Sequence, residues 1–168
     1  GIKFKEYAIS ILHPVTTNYE NIEKESNIYF QGLKKSNKNY IITYPNKDLG
    51  SNYIMKELNK LKKLKNFKII PSLRFEFFLS LLKNSSFIIG NSSCGIMEAP
   101  YYGVPTINIG NRQKNRFGSN SLININFNLG NILQAIKFAD KNKTIKSSFF
   151  GKGNSANKIK KILNSKKF

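Results

Sequence analysis

Five short runs, at residues 7–12, 40–44, 68–70, 87–89 and 106–109, are almost continuously apolar. Strands buried on both faces read this way, whereas half-exposed strands alternate. Longer stretches of helical period separate them. Residues 19–35 form one, and residues 51–64 another, with Ile54, Met55, Leu58, Leu61 and Leu64 on one face and lysines on the other. Further helices are predicted over 75–83, after Cys94, over 129–138, and over 156–163 with Ile159, Ile162 and Leu163 as an apolar stripe. Regular βα alternation predicts an α/β fold, a doubly wound, Rossmann-like parallel sheet with helices on both faces, because parallel neighbours must be joined by crossovers. No internal repeat or long linker interrupts the 168 residues, so a single domain is expected. Such a sheet takes its ligand at the carboxyl ends of its strands.

A formal charge of +19 points at first to a polyanionic partner. However, 25 of the 28 basic residues are lysine, and only Arg74, Arg112 and Arg116 carry the planar fork that reads bases and grips phosphates. Asparagine and isoleucine are abundant as well, as an AT-rich coding sequence produces, so nucleic acid is not the expected partner. One cysteine excludes a disulfide framework, and one histidine beside it excludes a zinc cluster of those two residue types. No metal and no cofactor are expected. The first ten residues lack a signal-like apolar run, and the greasiest stretch, 77–82, is far too short to span a bilayer, which predicts a soluble, cytoplasmic protein without a membrane partner.

Residues 87–110, FIIGNSSCGIMEAPYYGVPTINIG, read as a strand, a small-residue turn, a short helix and another strand. Gly90 and Gly95 permit tight turns, and the N–H groups of Ser92, Ser93, Cys94 and Gly95 are expected to be free at the helix start, where an anion such as a diphosphate can bind without metal. Glu98, one turn farther, suits the paired hydroxyls of a ribose. The same residues also read as Ser92 capping a helix with Glu98 closing a capping-box-like arrangement. His13 ends the first strand, where it either donates to a phosphate and exchanges a proton near neutral pH or serves as a plain structural donor. Arg112 and Arg116 follow the fifth strand, to neutralise a diphosphate or to form a solvated basic loop. Cys94 at a helix start is open to a lowered pKa, but no partner supports a nucleophilic role. The glycine pattern at 151–156 is a loop before the last helix, and Asn91-Ser92-Ser93 is a glycosylation sequon in form only.

Taken together, HPVTT at 13–17, ITYPNKDLGS at 42–51, IPSL at 70–73, GNSSCGIMEAP at 90–100 and GVPTINIGNRQKNR at 103–116 resemble the C-terminal half of the hydrolysing UDP-N-acetylglucosamine 2-epimerases of sialic and related nonulosonic acid biosynthesis. The resemblance covers almost the whole chain. It implies the C-terminal domain of a two-domain, glycosyltransferase-B-type fold that binds a UDP-sugar, an absent N-terminal Rossmann-like half, and a homo-oligomer at full length. It implies that Ser92, Ser93 and Gly95 hold the diphosphate, that Glu98 holds the ribose, that Arg112 lies near the diphosphate, that His13 is catalytic, and that Ile70 and Leu73 lie on the uracil side. The family often has glycine where Arg74 and Asn115 stand. Its non-hydrolysing relatives usually carry an Arg-rich segment where this chain has Pro14-Val15-Thr16-Thr17, which favours the hydrolysing branch. Its reaction, UDP elimination followed by addition of water to give N-acetylmannosamine, needs carboxylates as acid and base, and the matched motifs here contain only Asp48 and Glu98. The alternatives are the donor-binding half of a glycosyltransferase of similar architecture and a basic nucleic-acid-binding domain.

Overall fold

The computed structural model describes residues 3–116 and 121–165. Six strands, β1 (Ala8–Ile11), β2 (Tyr40–Thr43), β3 (Phe67–Ile70), β4 (Ile88–Gly90), β5 (Thr106–Ile109) and β6 (Leu122–Ile125), form one sheet in the order β3-β2-β1-β4-β5-β6. Every neighbouring pair is parallel. The chain winds outward from β1 to β3, returns to β4 beside β1, and winds outward again to β6. The loops after β1 and β4 therefore part in opposite directions, which opens a crevice at their carboxyl ends.

The apolar runs of β1, β2 and β4 are continuous because each of these strands feeds two cores. Ala8, Ile42, Ile89 and Ile107 face a layer built from α1 (Ile22–Lys35), α2 (Ser51–Leu61) and α6 (Leu129–Lys141), with Tyr29, Leu33, Leu58 and Ile136 at its centre. Ile9, Ile11, Ile41 and Ile88 face the opposite layer, where α3 (Phe75–Lys83) contributes Leu82. Leu33 and Leu58 are fully buried, each worth roughly 1.5–3 kcal/mol of transfer free energy. Ser10 is the polar exception within β1. Its hydroxyl pairs with the Tyr29 hydroxyl at 2.7 Å, which in turn donates to the Ile89 carbonyl at 3.0 Å, so a buried polar chain ties α1 to β1 and β4.

Four elements differ from the sequence expectation. The helix expected over 19–35 begins as a 3-10 segment, Thr16–Asn21, kinked at Asn18, and becomes α-helical only at Ile22, where Glu23 and Glu25 favour the positive end. The helix expected over 51–64 stops at Leu61. The helix after Cys94 is two four-residue turns, α4 (Cys94–Met97) and α5 (Ala99–Tyr102), meeting at Glu98 because Pro100 has no N–H to continue the ladder. Strand β6 was not expected at all. Its Leu-Ile-Asn-Ile pattern alternates as an edge strand does, and Asn124 accepts a hydrogen bond from Asn108 of β5 at 2.8 Å.

The last helix, α7 (Ser155–Leu163), forms as predicted, but the stripe of Ile159, Ile162 and Leu163 stays exposed. Among the described residues no helix is long and apolar enough to cross a membrane. At the other extreme, Gly90, the last residue of β4, has φ +142° and lies against the backbone of Ile11, with which it is in register.

Candidate functional site

The crevice between the tips of β1 and β4 is organised by Asn91, 1 % exposed. Its backbone N–H donates to the Ile11 carbonyl at 3.1 Å, extending the β1–β4 ladder by one step. Its side chain pairs with the main chain of His13 in both directions: Oδ1 accepts the His13 N–H at 2.7 Å, and Nδ2 donates to the His13 carbonyl at 2.8 Å. Its own carbonyl accepts from Arg112 Nη1 at 3.2 Å and from Gln113 Nε2 at 2.8 Å. Three loops, after β1, β4 and β5, thus meet on one residue to which the sequence reading gave no role of its own, carrying it only within the GNSSCGIMEAP motif and a glycosylation sequon. The available signal was an amide-bearing residue directly after a strand-ending glycine, able to mimic a backbone step.

His13 is half-buried, and its Nδ1 accepts the backbone N–H of Asn46 at 3.1 Å. An amide N–H can only donate, so Nδ1 carries the lone pair and the ring proton sits on Nε2. Burial first, and the nearby Arg112 charge second, lower the His13 pKa to about 4, with Asp48 pulling the other way. The expected proton exchange near neutral pH is therefore corrected. In this environment the ring is uncharged at pH 7 and acts as a hydrogen-bond donor.

The turn after Asn91 agrees with the sequence expectation in part. The N–H groups of Ser92 and Ser93 meet no acceptor among the described residues, whereas that of Gly95 donates to the Ser92 carbonyl at 3.2 Å and is not free. Gly95 instead brings α4 against β5: its carbonyl accepts the Thr106 hydroxyl at 2.8 Å, and a Cβ there would lie 2.7 Å from Thr106 Cγ2. Neither serine side chain caps α4, so the capping-box reading is not realised. Glu98, at the junction of α4 and α5, is half-buried. Its carboxyl pKa is raised by burial, and no cation pairs with it among the described residues. Cys94 is 9 % exposed, and burial pushes its thiol up to about 11, despite a hydrogen bond with Ser92. The lowered pKa considered from sequence is reversed, because the sulfur faces the core rather than the crevice.

Arg112 is drawn to the crevice, but Arg116 is exposed, and among the described residues its one hydrogen bond is from its backbone N–H to the Gln113 carbonyl. Between them Asn115 takes φ +66°, the left-handed conformation that asparagine tolerates in place of glycine. Ile70 ends β3 and packs on the second core, with Leu73 in the loop beyond it. They stand three strands from β4, about 14 Å at the usual strand spacing, and are not in the Asn91 cluster. Arg74, with φ −61° and ψ 145°, needs no glycine, and its guanidinium lies 5.6 Å from the Phe77 ring centroid. Sequence reasoning also overlooked Glu25. Held by Asn18 Nδ2 at 2.9 Å, it lines a cavity of about 320 Å3 with Val15, Gly110 and Asn111, at the same end of the sheet. A cavity of about 600 Å3 between β6 and α6 lies outside the Asn91 cluster.

Comparison with known proteins bears on this arrangement. The model of the family described as UDP-N-acetylglucosamine 2-epimerase matches residues 1–164. A UDP-N-acetylglucosamine 2-epimerase of Neisseria meningitidis is 45% identical over 139 residues, which are 83% of this chain and 37% of that protein. The GDP/UDP-N,N'-diacetylbacillosamine 2-epimerase (hydrolyzing) of Campylobacter jejuni is 34% identical over 133 residues, 74% of this chain and 33% of that protein. The crystal structure of the Methanocaldococcus jannaschii UDP-GlcNAc 2-epimerase in complex with UDP-GlcNAc and UDP superimposes with a TM-score of 0.74 at 22% identity, over 94% of this chain and 44% of that one. The chain thus spans less than half the length of these relatives. With the family model matched from residue 1 to residue 164 on a parallel sheet of the same fold, the chain belongs to the UDP-N-acetylglucosamine 2-epimerase family.

Proposed function

We propose that these residues are the UDP-binding, C-terminal half of a hydrolysing UDP-N-acetylglucosamine 2-epimerase, one of two Rossmann-like halves in a glycosyltransferase-B arrangement. The observation that carries the reading is the convergence at Asn91 of a neutral histidine donor, an arginine and two free amide N–H groups, a donor set made for a diphosphate. Ser92 and Ser93 hold the phosphates with Arg112, and Glu98 accepts the ribose hydroxyls. The loop at Ile70 and Leu73 lies on the base side. Gly95 keeps α4 close to β5 so that the Ser92–Ser93 turn stays in place.

In the reaction a base removes the proton on the sugar carbon beside the anomeric centre. The bond to the UDP oxygen breaks, and UDP leaves with the electron pair. Water then adds to the unsaturated sugar, and a proton returns to the opposite face. His13 stabilises the departing phosphate by donating from Nε2, and the acid and base carboxylates come from the other half of the enzyme. The hydrolysing branch is supported by Pro14-Val15-Thr16-Thr17 after His13 and by the named activity of the Campylobacter relative. A glycosyltransferase donor site accounts for Glu98 and the serine turn, but not for HPVTT together with the Arg112-Gln113 loop.

Calorimetric titration of the 168-residue chain is expected to show binding of UDP in preference to ADP, and equal affinity, or none for UDP, removes the proposal. Glu98→Gln keeps the size of the side chain but weakens its acceptance of paired hydroxyls, for an expected loss of roughly 1–3 kcal/mol in UDP binding. Unchanged affinity in that variant removes the ribose role.

A further inference from the structure

We infer that Asn91 is a positioning residue that sets His13 and Arg112 as a single unit, so that neither loop is oriented for an anionic ligand without the other. The inference rests on the reading of this crevice as a diphosphate site. A carboxamide one carbon from the backbone is the group that can both accept the His13 N–H and donate to the His13 carbonyl. Aspartate lacks the donor, serine is too short to span both atoms, and glutamine is one carbon too long. The Asn91 main chain is fixed in turn, because its N–H is held by Ile11 and Gly90 before it is locked against the same strand.

The opposite face of Asn91 holds the loop after β5. Its carbonyl takes one N–H from Arg112 and one from Gln113, and the other guanidinium N–H groups of Arg112 meet no acceptor among the described residues. Arg112 is thus anchored at one nitrogen with the rest of its fork uncommitted. His13 is anchored twice, by Asn91 at its main chain and by the Asn46 N–H at its ring, and its Nε2 proton meets no acceptor among the described residues. Arg112 and Asp48 act on the ring through their charges, and Glu25 of α1 lines the same small cavity as His13. Shifting Asn91 would move the ring away from Asn46 and from Arg112 together.

His13 is the only histidine of the chain, so 15N labelling of histidine reports this ring alone. In the wild-type chain the expected signals are an unprotonated Nδ1 and a protonated Nε2, with titration near pH 4. Asn91→Ala is expected to populate both tautomers, to move the titration up toward the ordinary histidine range, and to weaken UDP binding at least tenfold. Should that variant not fold, Asn91→Ser leaves a smaller hole and is expected to shift the signals in the same direction. Gln113→Ala cuts one tie to the Asn91 carbonyl from the far loop with the Asn91 side chain intact, and is also expected to disturb the His13 titration. Folded variants that are merely less stable, with the His13 tautomer and titration unmoved, overturn the inference. The histidine signals need no ligand, so a wild-type chain that binds no UDP removes the proposed function while the positioning role is still decided.

Discussion

Gly90→Ala is expected to leave almost no folded protein. Gly90 closes β4 in register with Ile11 of β1 and takes φ +142°, a conformation in which an alanine side chain is already strained. A Cβ at this position would overlap the Ile11 carbonyl oxygen and lie 2.6 Å from its carbon, so the two central strands would have to separate. The Ile11 oxygen is also the acceptor for the Asn91 N–H, and the variant therefore breaks the crevice as it breaks the sheet. The expected cost exceeds about 4 kcal/mol, a large share of the roughly 5–15 kcal/mol that holds a domain together. Gly153→Ala is the natural comparison. It too has a positive φ, +76°, but a Cβ there meets nothing within 4 Å, so only the conformational term of roughly 1–2 kcal/mol applies. Thermal unfolding of the two variants side by side separates overlap from strain, and a Gly90→Ala melt matching wild type would show that β1 and β4 can part without cost.

The second large effect is on turnover. The 168 residues taken by themselves are expected to release no UDP from UDP-N-acetylglucosamine while still binding the nucleotide. Proton abstraction from carbon and proton delivery to the opposite face need placed carboxyl groups, and His13, neutral and already committed at Nδ1, cannot supply both. Glu98 is proposed to hold the ribose. Two other carboxylates stand near His13 at this end of the sheet, Glu25, bonded to Asn18, and the exposed Asp48, bonded to Asn46. Fusion to the amino-terminal half of a related epimerase is expected to restore turnover. In that enzyme His13→Ala should lower kcat more than it weakens UDP binding, because a donor to the departing phosphate acts mainly in the transition state. Steady UDP release by the 168 residues alone, abolished by mutating their own side chains, would place the chemistry elsewhere.

Sequence legibility followed burial. The interior strands declared themselves as apolar runs, as did the edge strand β3, while β6 at the other edge alternates isoleucine with the exposed Asn124 and was not read as a strand. The periodicity of residues 94–102 was helical throughout, yet one proline divided them into two turns. In the crevice, strand ends located His13, Ser92, Ser93 and Arg112, since topology alone sends them there. What they do to one another was not legible. The Asn91–His13 bonds join residues 78 positions apart, and no local pattern encodes such a pair. The direction of the His13 and Cys94 shifts likewise depends on how deeply each side chain sits, which only the folded arrangement decides.

The buried sulfur of Cys94 makes the serine turn a clock. Thiolate is the form that attacks alkylating reagents, and a thiol pushed up to about 11 behind the Ser92–Ser93 turn offers almost none while the turn is closed. At neutral pH each labelling event therefore counts one excursion in which α4 lifts from the sheet and the sulfur meets water. Because the sequence contains no other cysteine, the count needs no correction, and a ligand that rests on the turn lengthens the interval between ticks.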